Sequence, residues 1–152
     1  MKYLMVVLSL LSGCGASSSN SSEASLQLEQ NFNLRDTFSQ QSNNFLQGEN
    51  IELFLVLTNH SANAVTLTFS SGQQYDFYIK SSIDAEVWRW SENKVFTLDT
   101  TELTLRAGES VEVSEIWNQE FSGSDMAAVG SYSAFGLFLG QPETLQFDFI
   151  IQ

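Results

Sequence analysis

The chain has 152 residues, 43% of them hydrophobic with twelve Phe, and carries a formal net charge of −12, which fits one folded domain and excludes both a disordered chain and two ordinary domains. One Cys and one His exclude a disulfide scaffold, a Cys/His zinc site and a Cys–His nucleophilic pair. The basic residues after Lys2 are few and scattered, so nothing can displace counterions from phosphates, and neither nucleic acid nor an electrostatic grip on anionic lipid is expected.

Residues 1–13 read as a signal peptide: Lys2 supplies the charge, and Leu4 to Leu11 is apolar but much shorter than the ~20 residues of a membrane-spanning helix. Leu11-Ser12-Gly13-Cys14 matches the bacterial lipobox, in which small residues precede a Cys whose thiol is lipidated before cleavage. Cys14 is therefore the expected lipidation site. Acyl chains contribute about 0.8 kcal/mol per buried CH₂, so two or more hold a protein on a bilayer durably. With Lys2 gone the mature chain goes from −12 to −13. Gly15 follows the Cys in place of the Asp that marks inner-membrane retention, so in a Gram-negative cell the expected location is the outer membrane. In any cell it is the envelope, outside the cytoplasm. Residues 14–25, rich in Ser, bury nothing and read as a tether.

From residue 26 to 152 the pattern is that of strands. Leu26, Leu28, Phe32 and Leu34 alternate with polar residues, and Ile51 to Thr58 is apolar on both parities, as a central strand would be. Val65 to Phe69 and Tyr75 to Ile79 alternate on either side of Gly72, which predicts a hairpin there. Further strands are predicted at Val87–Ser91, Val95–Leu98, Leu103–Leu105, Ser110–Trp117, Tyr132–Leu139 and Leu145–Ile151, with Pro142 just before the last and no helical period. Eight to ten short strands point to an all-β, antiparallel sandwich.

The order of Phe69, Gly72, Tyr75 and Phe77, then Trp88-Arg89-Trp90-Ser91, Phe96, Gly108-Glu109, Trp117, and Gly130 with Tyr132 resembles the BsuPI family of proteinase inhibitors over about residues 45–150. The resemblance implies an immunoglobulin-like β-sandwich and a non-enzymatic role, inhibition of a subtilisin-type serine proteinase in the case of the named family member. That member works inside the cell, whereas this chain looks exported, so its proteinase or other protein partner should lie in the envelope. The alternative use of such a sandwich is carbohydrate binding or envelope structure.

Trp88 and Trp90 are two apart on one face, either core anchors or a stacking platform, and core packing is the commoner fate of large aromatics. Arg89 then points the other way, toward Asp76, Asp84, Glu86 or Tyr78, as a surface contact. Trp117 closes an alternating strand and reads as core. His60 in its turn and the acidic pairs Asp99/Glu102 and Glu109/Glu112 lack ligand spacing, so no metal and no cofactor is expected. No Gly-x-Ser-x-Gly elbow is present, and His60 is the one His available as a base, so no catalytic residue is assigned. Recognition by loops is expected at Asn59–Asn63, Ser81–Glu86 and Gln119–Ala128, above all at Glu120, Phe121, Ser122, Gly123, Ser124, Asp125 and Met126, a long segment with two apolar side chains and neither disulfide nor proline to hold it.

Overall fold

The computed structural model describes residues 27–121 and 125–152; the expected signal peptide (1–13), Cys14, the expected tether (14–25), Leu26 and Ser122 to Ser124 lie outside the described residues. Ten strands follow one another without a helix among the described residues: β1 (Leu28–Arg35), β2 (Asn44–Phe45), β3 (Ile51–Asn59), β4 (Val65–Phe69), β5 (Tyr75–Ser81), β6 (Glu86–Arg89), β7 (Thr101–Leu105), β8 (Ser110–Trp117), β9 (Gly130–Phe138) and β10 (Leu145–Ile151). They form a three-stranded sheet in the order β1-β3-β8, a five-stranded sheet in the order β2-β10-β9-β5-β6, and the separate pair β4-β7. All pairings are antiparallel except the short one of β2 with β10. The fold is the all-β sandwich that the sequence pattern predicts.

The two larger sheets bury their facing side chains against each other. Phe32 and Leu34 of β1 and Leu53, Leu55 and Leu57 of β3 meet Phe77 and Ile79 of β5, Ala134 and Phe138 of β9, and Phe149 and Ile151 of β10. Each such Leu, Ile or Phe contributes about 1.5–3 kcal/mol by leaving water. β3 lies between β1 and β8, as its apolar character on both parities requires, and its outward Phe54 is capped by the Arg35 guanidinium 3.3 Å above the ring.

Two local expectations fail for the same reason. β4 and β5 do not form a hairpin around Gly72; β4 pairs with β7, whereas β5 pairs with β6 and β9. Residues 95–98 are not a strand either, and Val95 and Leu98 are exposed. Gly72 donates its N–H to Thr97 O at 2.9 Å, and a Cβ there would lie 2.6 Å from Thr97 Oγ1. The glycine is thus required by the close passage of the segment carrying Thr97, and a turn was only its local appearance. The first strand also runs later than its pattern, to Arg35, and β2 is too short to show a period.

Buried Asn59 joins the β3-β8 ladder to the β4-β7 pair. Its Nδ2 donates to Asn63 O at 2.8 Å and to Leu105 O and Arg106 O at 3.0 Å, and its Oδ1 accepts the Ser61 N–H at 3.0 Å. The loop Asn59–Asn63 is therefore a structural knot.

Gly136 in β9 has the Phe32 ring against it: a Cβ would stand 2.7 Å from Phe32 Cδ2 and 3.0 Å from Cε2, and that ring is stacked on Phe77 at 5.9 Å between centroids. Gly136→Ala should cost about 1–3 kcal/mol by overpacking, read as a lower urea midpoint at unchanged slope. An unshifted midpoint would mean that the ring moves aside freely.

Candidate functional site

β1, β3 and β8 run between two poles of the sandwich. Leu28 pairs with Asn59 and Ser110 with Thr58 at one pole, whereas Arg35 pairs with Glu52 and Trp117 with Ile51 at the other. At about 3.3 Å per residue the poles are roughly 25 Å apart. In the five-stranded sheet Gly130 pairs with Ile151 and Ser81 with Tyr132, and Tyr132 Oη donates to Ala128 O at 2.9 Å. The loops Ser81–Glu86 and Gln119–Ala128 therefore share the pole that holds Trp117, and Asn59–Asn63 lies at the opposite one.

The Gln119–Ala128 loop rises from that pole on hydrogen-bonded arms. Glu120 and Met126 form a β-bridge, the Phe121 N–H donates to Asp125 O at 2.8 Å, and the Ala127 N–H donates to Gln119 O at 2.7 Å. Beneath them the buried indole of Trp117 donates to Glu120 O at 2.7 Å. Gln119 is fully buried, with a φ of 64° that turns the chain sharply out of β8. Its Nε2 donates to Leu46 O at 2.8 Å and Glu49 O at 2.9 Å, and its Oε1 accepts the Gly48 N–H at 2.8 Å. Gln47 Nε2 reaches back to Ala127 O at 2.8 Å. These bonds staple the loop base to the turn after β2 without disulfide or proline. Neither Gln47 nor Gln119 stands out in the sequence, because a buried Gln at positive φ has no pattern signature. Of the loop residues singled out from the sequence, Ser122, Gly123 and Ser124 lie outside the described residues.

Exposed apolar side chains concentrate at this pole. Met126 is 46% exposed, Val129 62% and Leu46 63%, and Phe38, Ile83, Ile116 and Ile150 belong to the same end by register.

The Trp-Arg-Trp segment lies beside the loop on one flank of the sandwich. Trp88 and Trp90 are half-buried and pack on the core, Trp88 at 6.3 Å from the Trp117 ring and Trp90 stacked on Tyr75 at 4.5 Å. Phe96 lies 5.8 Å from Trp90, and the Lys94 ammonium sits 4.6 Å over the Trp90 ring. Neither indole is an open platform. Arg89 faces the other way, as expected, but one of its partners is not a surface group: Asp76 is only 4% exposed. Its carboxylate accepts from Arg89 Nη1 at 2.6 Å, Ser91 Oγ at 2.8 Å, and the N–H groups of Phe77 and Ser91 at 2.9 and 3.2 Å. Arg89 also binds Glu86 at 2.6 Å and lies 4.5 Å over Tyr78. The Glu86 hydrogen bonds, and then Asp76, hold the guanidinium above its ordinary pKa. Of the remaining motif positions, Phe69, Phe77, Trp117 and Tyr132 are buried, Gly108 precedes β8 and Gly130 opens β9. These motif positions build the fold around the loop.

Between β6 and β8, the edges of the two sheets, a cleft of about 400 Å³ is lined by Trp88, Trp90, Lys94, Glu115, Glu120 and Phe121 among others. Tyr75 Oη donates to Glu115 there at 2.9 Å. A hollow of about 510 Å³ on the outer face of the five-stranded sheet is larger. Its one carboxylate, Asp148, is taken up by its neighbours, Ser133 and Gln146 both donating to it at 2.7 and 2.8 Å. His60, expected in solvent, is exposed and pairs with Glu29 at 2.7 Å.

Two outcomes follow. Gln119→Ala leaves the Glu49 carbonyl and the Gly48 N–H without their partner, leaves the Leu46 carbonyl with the Glu49 N–H alone, and keeps a non-glycine residue at positive φ. It should cost about 2–3 kcal/mol in chemical unfolding; a change within experimental error would show that water replaces the staple. Burial, reinforced by Glu115, pushes the Tyr75 phenol from 10.0 up to about 12. The folded state thus favours the neutral phenol, so its contribution is complete below pH 10 and is lost as the pH rises toward 12. An ultraviolet titration should show a tyrosine ionising near 12 that Tyr75→Phe removes, apart from Tyr132, which burial also raises, and ionisation of all tyrosines near 10 would contradict the site geometry.

Comparison with known proteins bears on the same residues. No curated protein matches the chain. Among solved structures it is similar to a β-glucosidase from Listeria innocua in complex with glucose (16% identity, TM-score 0.44, 80% of this chain and 16% of that one). It is also similar to a Pseudomonas fluorescens alkylpurine DNA glycosylase bound to DNA containing an abasic site analog (15% identity, TM-score 0.48, 83% and 30%). A third is a β-glucosidase from Erythrobacter marinus (8% identity, TM-score 0.47, 82% and 16%). The chain spans only a small part of each, and likeness at this level carries no argument about activity. The family model of BsuPI, intracellular proteinase inhibitor, matches residues 37–143. With its Trp-Arg-Trp segment, its buried Trp117 and more than half of its length inside that match, the chain belongs to the BsuPI family.

Proposed function

We propose that the chain is a lipid-anchored, non-enzymatic module of the cell envelope that inhibits a subtilisin-like serine proteinase through the loop 120–126. The observation that carries this reading is a loop whose arms are stapled to the buried sandwich at the pole where the exposed apolar side chains gather. Exposed large apolar side chains gathered at one end of a sandwich are common at protein-binding sites. Ordering a backbone residue costs about 1–2 kcal/mol, so arms held before the encounter lower the cost of binding. The family is described as one of proteinase inhibitors, which supplies the class of partner.

The export signal at the N-terminus moves that partner from the cell interior to the envelope. β1 begins at the pole opposite the loop, so a membrane tether through Cys14 leaves the loop facing away from the bilayer. The half-buried indoles, one stacked on Tyr75, do not favour the sugar-binding alternative.

The full chain should slow a subtilisin-type proteinase in a progress-curve assay, and Met126→Asp should weaken that inhibition at least about tenfold, the worth of roughly 1.4 kcal/mol. Val95→Asp, far from the pole, should leave it unchanged. Absence of inhibition, or equal loss with both variants, would sink the reading. Cys14→Ser should abolish incorporation of labelled fatty acid and release the chain from the membrane fraction; membrane retention would sink the anchor.

A further inference from the structure

The cleft between β6 and β8 shares only Glu120 and Phe121 with the loop 120–126 among the described residues, and we infer that it receives a lysine or arginine side chain on an extended segment of a partner protein, which adds as a strand to the open edge of β8. Three observations converge on it. First, β8 pairs with β3 on one side, and among the described residues no strand pairs with its other side. Its run from Ser110 to Trp117 carries no Pro, and the charges that guard it, Glu112 and Glu115, are acidic, so they repel an acidic strand and not a basic one. Second, the cleft opens onto that edge, and its lining joins Trp88 and Trp90 to three acidic residues, Glu92, Glu115 and Glu120, while the guanidinium of Arg89, also in the lining, is already taken up by Asp76 and Glu86. Third, a cation already sits in it: the ammonium of exposed Lys94, from the turn after β6, lies 4.6 Å over the Trp90 ring. The chain's own lysine marks the chemistry the cleft accepts, and being on an exposed turn it can be displaced.

Charge selects the occupant. At −12 overall, and with Glu112 and Glu115 on the edge strand itself, a second copy of this chain meets like charge along β8, whereas a basic segment is attracted. Main-chain pairing along the edge would supply affinity and the indole–carboxylate cleft specificity, as in other strand additions. The inference stands whether or not the loop 120–126 inhibits a proteinase.

The test uses the full chain and a short fluorescent peptide of alternating Thr and Lys, with Thr-Gln and Thr-Glu peptides as controls. The Thr-Lys peptide should bind saturably, shift the indole N–H resonances of Trp88 and Trp90, and slow amide exchange along Ser110 to Trp117. Glu120→Gln should weaken binding about fivefold, and Lys94→Gln, which empties the ring face, should strengthen it by a similar factor. Lys80→Gln on the outer face is the control for net charge and should change little. Failure of saturable binding overturns the inference, as does equal binding of the Thr-Gln peptide. So does an equal response to Lys94→Gln and Lys80→Gln, which would indicate diffuse attraction only. A concentration-dependent dimer that the peptide cannot dissociate would assign the edge to a second copy instead.

Discussion

The indole of Trp117 is the point on which the two sheets and the loop depend together. It is fully buried at the end of β8, and its ring lies within 6.2 to 6.3 Å of Trp88, Tyr132 and Phe149, so it touches β6, β9 and β10 from the opposing sheet. Its one polar atom is satisfied by Glu120 O at the first arm of the loop. A buried donor left unpaired costs about 1–3 kcal/mol, so the bond that completes the core also fixes where the loop begins. Core packing and loop geometry are therefore one constraint. Gln119, next in the chain but one, extends it to the turn after β2.

The family's motif residues are understood in the same terms. Arg89 and Asp76 form a charged pair that is acceptable only because it is nearly saturated. The Asp76 carboxylate has four donors, and Arg89 adds Glu86 and the face of Tyr78. Removing one partner from such a pair strands the other, whereas an exposed ion pair is worth little. Trp88, Trp90, Tyr75 and Phe96 form an aromatic wall along the open flank of the sandwich, and the contact of Trp88 with Trp117 holds the β6 edge against β8. The motif thus specifies a scaffold, and recognition is left to the loop and the cleft that the scaffold shapes.

Much of the fold was legible in the sequence because a half-buried strand writes its period into the chain. Ser110–Trp117 and Leu145–Ile151 run to the residues where the alternation starts and stops, and the two-sided apolar character of Ile51–Thr58 marks the middle strand of its sheet. The pairing of strands was not legible where a glycine served a contact between segments distant in sequence. Gly72 looks like a hairpin turn, yet its missing side chain makes room for Thr97. At the site, the exposed loop and its apolar residues could be read from composition, and so could the direction in which Arg89 points. The supports could not: Gln119, Gln47 and Asn59 are polar residues in polar stretches, and only tertiary contact makes them buried partners.

The most direct test is native-state hydrogen exchange of the Phe121 and Ala127 amides in the free full-length chain. If the arms are held before any partner arrives, the Ala127 N–H, 2.7 Å from Gln119 O, and the Phe121 N–H, 2.8 Å from Asp125 O, should be protected to a degree approaching that of the β3 amides. Exchange at the rate of an open loop would show that the staple does not hold in solution, and with it the claim of a preorganised interaction loop would fall.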